Sequence, residues 1–187
     1  MAATMTVSSE QMAAQFHLAQ LAFQYYLSAR FAALSHCLPV AGNLCHHAIE
    51  LFLKGALLRA LTLAQLKTHG HDLNKLWVIF KATHPDPQHA SLDSSVAELH
   101  KFARLRYPDF VVDEGMQVLF AVRKDDFSRL PAGPQPPYHL VLEDIDLLVK
   151  TAAPRWGLEY TAFTSSLSEH AAHFLQLQNF HSIFPSA

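Results

Sequence analysis

Residues 42–61, GNLCHHAIELFLKGALLRAL, decide how this chain folds. Apart from Asn43, His46, His47, Glu50, Lys54 and Arg59, every position in the run is apolar or glycine. A helix of that composition is apolar almost all round and must be surrounded by other elements. Asn43, His47, Glu50 and Lys54 are spaced 4, 3 and 4 residues apart, so they share one face as a single polar stripe. An unpaired charge in a core costs several kcal/mol, so the stripe must meet water, a pocket or partner groups on neighbouring helices. Glu50 and Lys54 alone, at i and i+4 in the favourable order, account for it as an ordinary pair worth about 0.2–0.5 kcal/mol on a surface.

Working outward from this central helix, Pro39 ends the preceding segment and suits the opening of a second helix, roughly Val40 to Leu63. Upstream, Ser8 and Gln11 resemble a capping box. Met12, Phe16, Ala19, Phe23, Tyr26 and Leu27 then recur at helical spacing, which predicts a first helix running to about His36. Downstream, Asp72 stands at an N-cap, followed by Leu73, Leu76, Trp77 and Phe80 on one face of a third helix that stops before His84-Pro85-Asp86-Pro87. Asp93 or Ser94 caps a fourth, whose inward line is Val96, Leu99, Phe102 and Ala103 and which Tyr107-Pro108 ends. Phe110 to Val112 and Met116 to Val122 are short β-prone runs around Asp113-Glu114-Gly115, a small hairpin or extended loop. Pro131 to Pro137 forms an irregular surface connection. A fifth helix from about Leu142 to Ala153 buries Ile145, Leu148 and Val149. A sixth, from about Leu158 to His181, carries Tyr160, Phe163, Leu167, Phe174 and Leu177.

Composition supports the same reading. Half of the 187 residues are apolar, only 16% are charged and there are six glycines, which suits one all-α domain with a substantial core. The formal net charge of −2 gives no global positive field, so contact with a polyanion has to be local. Cys37 and Cys45 are too few for a disulfide scaffold, and reduced thiols are expected. Met1 to Glu10 lacks a basic flank leading into an apolar signal run. No eighteen residues are continuously apolar, so a cytoplasmic chain without a membrane segment is expected.

Three segments carry a family resemblance: HHAIELFLKGALL at 46–58, HGHDLNKLW at 69–77 and LRYPD at 105–109. In that order and at those distances they resemble the signature segments of HEPN-domain proteins. The resemblance covers about Leu21 to Lys150, leaving the Phe110 to Pro137 insertion and a helical extension of about 155–182 outside it. It implies an antiparallel helical bundle that commonly dimerises, and a role in nucleotide or RNA binding or RNA cleavage, often in a defence or toxin–antitoxin setting. A nucleotidyltransferase-type antitoxin is a common partner of such domains. The resemblance further implies that His71 packs back on the stripe.

Ribonuclease members of the family carry an Arg followed four to six residues later by His on a late helix, the Arg supporting phosphate and the His moving protons. Here Arg104 and Arg106 have no such His after them. Arg30 and His36, with FAALS between them, have the spacing but lie at the end of helix one. His46, His47, His69 and His71 raise a metal site, but adjacent helical histidines diverge, and Gly70 and Asp72 have simple roles as turn and cap, so no metal or cofactor is expected. The sequence therefore reads as a non-catalytic HEPN-like homodimer binding a nucleotide or short RNA. Glu50, Lys54, His71 and Arg106 line its site with His47 and Asn43; Lys54 and Arg106 contact phosphate, and Glu50 orients Lys54. A structural interaction module and a metal-independent ribonuclease with an unrecognised constellation stand as alternatives.

Overall fold

A computed structural model describes residues 9–127 and 136–184. The described chain is mostly helical, with a single two-stranded sheet. Helices α1 (Ser9–Leu34) and α2 (Leu38–Leu57) form a hairpin packed along its length. Buried Ala19, Ala22, Ala29 and Ala33 keep α1 slim, and Ala41, Cys45, Ala48, Phe52 and Ala56 are buried on α2. The tight link turns through His36, at φ 58°, and the Cys37 N–H donates to the Ala32 carbonyl (2.8 Å).

As its composition requires, α2 is the central helix, meeting α4 (Leu73–Thr83), α5 (Asp93–Lys101) and α8 (Leu142–Ala152). Two glycines let large rings reach its backbone. A Cβ at Gly42 would stand 1.9 Å from the Phe102 ring, and one at Gly55 2.1 Å from the Trp156 ring. Trp156 Nε1 in turn donates to the Phe52 carbonyl (2.8 Å). Leu73, Leu76, Trp77 and Phe80 are buried as expected, as are Val96, Leu99 and Phe102 and, on α8, Ile145, Leu148 and Val149. One contiguous apolar cluster joins these elements to Phe163, Leu175 and Phe184. Among the described residues no helix is long and apolar enough to cross a membrane.

Several expectations are corrected. Helix two stops at Leu57, not Leu63. Thr62 opens a separate α3 (Leu63–Thr68) with Gln65 in a reciprocal capping box, because two satisfied end groups outweigh continuing the run. Asp93 does not cap α5 but accepts from Trp77 Nε1 (2.7 Å) and Lys81 Nζ (2.6 Å), tying α4 to α5. There is no hairpin at 110–122. Pro108 starts α6 (Pro108–Glu114), so Phe110 to Val112 is helical, and Gly115 at φ 79° ends it. Strand β1 (Val118–Ala121) pairs in parallel, Val118 opposite Tyr138, with β2 (Tyr138–Val141), which lies beyond the one-turn helix α7 (Lys124–Phe127). Of the proline-rich connection, 131–135 lie outside the described residues, as does Ser8 of the expected first cap. The sixth helix divides into α9 (Thr161–Thr164) and α10 (Glu169–Gln176). The Thr164 hydroxyl bonds back to the Thr161 carbonyl, and Ser168 caps the second piece, the local bonding by which Ser and Thr interrupt helices. Of the apolar residues recurring at helical spacing on α1, Met12 and Phe16 are exposed.

The rings over Gly42 and Gly55 leave no room for a methyl group. Gly42→Ala and Gly55→Ala are each expected to lower unfolding free energy by about 1–3 kcal/mol, read from urea melts, as overpacking does in a filled core.

Candidate functional site

The polar stripe of α2 divides into a closed half and an open half. Glu50 is the centre of the closed half, only 1% exposed. One turn further on, Lys54 Nζ donates to Glu50 Oε1 (2.7 Å) and to the Gly70 carbonyl (2.7 Å). His71 Nδ1 lies 3.0 Å from both carboxylate oxygens, and His47 Nδ1 lies 3.6 Å from Oε2. Gly70, at φ 55°, is the turn that presents its own carbonyl to Lys54 and delivers His71 to Glu50. Asp72 then caps α4 by accepting from the Lys75 N–H (3.1 Å), which fixes where that loop ends.

Burial alone pushes the Glu50 carboxyl up, but the close approach of His47 (3.6 Å) and the hydrogen bonds of Lys54 and His71 outweigh it and hold it at about 2, against an ordinary 4.5. Glu50 is therefore an anion at every physiological pH. Its pairing stabilises the fold fully above about pH 4.5, and the contribution is lost as pH falls toward 2.

The open half is a cleft lined by Tyr25, Asn43, Leu44, His47 and Arg106. Arg106 ends a 3₁₀ turn, Phe102–Arg106, and its side chain is exposed at the start of α2. Its Nε donates to Asn43 Oδ1 (3.2 Å), and one terminal nitrogen lies 3.2 Å from His46 Nδ1. Burial, reinforced by the neighbouring Arg106 charge, pushes His46 down to about 4, so it is neutral and accepts from the guanidinium. Tyr25 meets the His47 ring edge to face, with centroids 4.4 Å apart. Two of the five guanidinium N–H donors are engaged in this way, in a planar group suited to phosphate.

The structure thus gathers the six expected site residues along one helix but separates their tasks. Glu50 does hold Lys54, as expected. A shared grip by Lys54 and Arg106 on one phosphate is not what the geometry arranges. Lys54 is committed to Glu50 and Gly70, while Arg106 sits on Asn43, eleven residues and about 16 Å of helix rise away. His47 belongs to both halves, its Nδ1 facing Glu50 and its ring facing Tyr25. The four histidines sort similarly: His47 and His71 converge, His46 faces Arg106, and His69 lines a different groove with Asp72 and His100.

Arg30 and His36 are not a phosphate-handling pair. Arg30 is fully buried in an ion pair with Asp146, and it also donates to the Phe174 (3.1 Å) and Leu177 carbonyls. Tyr26 donates to the same carboxylate (2.7 Å) and receives Asn179 Nδ2 (2.9 Å), so α1, α8 and the segment after α10 are locked together. His36, in the turn after α1, rests on the Phe120 ring. Sequence reasoning missed Asp146, although LEDIDLLVK places it between Leu142 and Val149 on the inward face of its helix.

Compared with known proteins, the chain matches no family model, no curated protein and no solved structure.

Removing one partner of a buried ion pair strands the other. Arg30→Met is expected to cost about 3–5 kcal/mol of stability, read from urea unfolding, far more than a surface arginine would.

Proposed function

We propose that this chain is a non-catalytic HEPN-like helical domain that binds a nucleotide or short RNA in the cleft of Tyr25, Asn43, Leu44, His47 and Arg106. The observation that carries this reading is the Arg106 guanidinium, exposed yet pinned by Asn43 and His46, beside the Tyr25–His47 aromatic pair. A pinned guanidinium loses little entropy on meeting phosphate, and each charge-assisted hydrogen bond contributes on the order of 1.5–3 kcal/mol where water is partly excluded. The ring of Tyr25 offers a flat apolar surface for a base, the usual way in which unpaired bases are held. With a net charge of −2 there is no long-range steering, so affinity in the micromolar range is expected. The missing late Arg and His pair, together with the burial of Arg30, favours binding over cleavage.

The HEPN resemblance carries the rest of the proposal: a homodimer, a defence or toxin–antitoxin setting, and a nucleotidyltransferase-type antitoxin as partner. The exposed apolar side chains of Met12 and Phe16, four residues apart on α1, are consistent with an interaction surface there. A second reading, a structural interaction module without a small ligand, is favoured by one observation. The buried Glu50 carboxylate is satisfied by Lys54 and His71, as in a network that only fixes helix register.

Calorimetric titration with ATP, GTP and a short single-stranded RNA separates the two. Arg106→Ala is expected to weaken binding about tenfold or more, since roughly 1.4 kcal/mol is one decade. Lys54→Met is expected to leave affinity within about twofold while lowering stability by about 1–3 kcal/mol, because it withdraws a donor from a buried carboxylate. If no ligand gives heat at millimolar concentration while the protein is folded, the interaction module replaces the binding domain.

A further inference from the structure

We propose that His47, Glu50 and His71 form a binding site for a divalent transition-metal ion of the zinc type. The three side chains each turn one ligand atom inward, and those atoms all lie within 4.8 Å of one another. His71 Nδ1 stands 3.0 Å and His47 Nδ1 3.6 Å from Glu50 Oε2. An ion with bonds of about 2.0–2.1 Å in tetrahedral array needs ligand atoms about 3.3 Å apart, so the two distances to Glu50 already bracket the required spacing.

The placement is that of a chelate. His47 and Glu50 are one turn apart on α2, the central helix, and His71 arrives from a separate loop held by the Gly70–Lys54 bond and the Asp72 cap. His47 Nδ1 is a buried atom with no hydrogen-bond partner, only the longer 3.6 Å approach to Glu50. Such an atom is an unmet polar group that coordination would satisfy. Two imidazoles and one carboxylate suit zinc and its neighbours rather than calcium or magnesium, which take oxygen ligands. Glu50 can offer Oε2 to the ion while Oε1 keeps Lys54, an outer donor that holds the carboxylate in a one-oxygen mode. His71 is 64% exposed, so the fourth position faces solvent and takes water. An imidazole binds an ion only through an unprotonated nitrogen, so uptake weakens in acid.

This site does not rest on the nucleotide reading, because neither Arg106 nor Tyr25 is a ligand. The test is titration of the metal-free full chain with zinc by calorimetry and with cobalt(II) by visible absorption. One equivalent is expected to bind, cobalt giving the d–d bands of a four- or five-coordinate ion. His71→Ala and Glu50→Gln are expected to weaken zinc binding more than about tenfold, as loss of a direct ligand exceeds the effect of loosening its support. Arg106→Ala is expected to leave it unchanged. Far-UV dichroism accompanies each variant, and His71→Ala, at an exposed loop position, is the one whose folding is least at risk. No uptake of either ion at millimolar concentration overturns the proposal. So does uptake that His71→Ala and Glu50→Gln, both folded, leave intact, since another of the thirteen histidines would then be responsible.

Discussion

The constraint on which the rest depends is one buried negative charge. Glu50 lies in the middle of the helix that α1, α4, α5 and α8 all pack against, where an unpaired carboxylate would cost several kcal/mol. The same helix supplies Lys54, but a lone pair at i and i+4 leaves lone pairs unsatisfied. The chain therefore has to bring His71 from outside α2, and this sets where the α3–α4 loop turns, why it carries glycine at position 70, and where Asp72 starts α4. A buried ion pair is a poor source of net stability. What this one fixes is the position of a loop against a helix.

Once Lys54 is spent on that task, the cation that lines the cleft among the described residues is one that comes from elsewhere, Arg106. It is held by side chains at the opposite end of α2. A neutral His46 is part of the same arrangement, since a charged imidazole there would repel the guanidinium rather than accept from it. One helix thus carries a satisfied network and a receptive cleft, with His47 between them. The proposed nucleotide site uses the outer face of His47 and the proposed metal site its inner nitrogen.

Much of this was legible in advance. Residues 42–61 announced both the central helix and its polar face, because a nearly all-apolar run can be placed in only one kind of environment. That His71 packs back on the stripe was implied by family resemblance, though not that Glu50 is its partner, and the cap at Asp72 was readable from local chemistry alone. Long-range choices were not legible. The β-prone Met116 to Val122 run found a parallel partner some twenty residues away rather than a hairpin mate, because Pro108 drew Phe110 to Val112 into a helix first. The division of labour between Lys54 and Arg106 depends on the Gly70 carbonyl, a backbone group whose position no side-chain pattern reveals. The Arg30–Asp146 pair joins residues 116 positions apart, and spacing within either helix says nothing about the other.

The central claim is that Lys54 and His71, bonded to a buried Glu50 with His47 close by, keep it ionised and so hold the loop of His71 in place. The most direct measurement is a carbon-13 NMR titration of the Glu50 side-chain carboxyl in the metal-free, ligand-free protein. The account requires the signal to stay that of a carboxylate down to a midpoint near pH 2. A midpoint at or above the ordinary 4.5 would mean that burial, not the converging donors, governs this residue, and the account would be wrong at its centre.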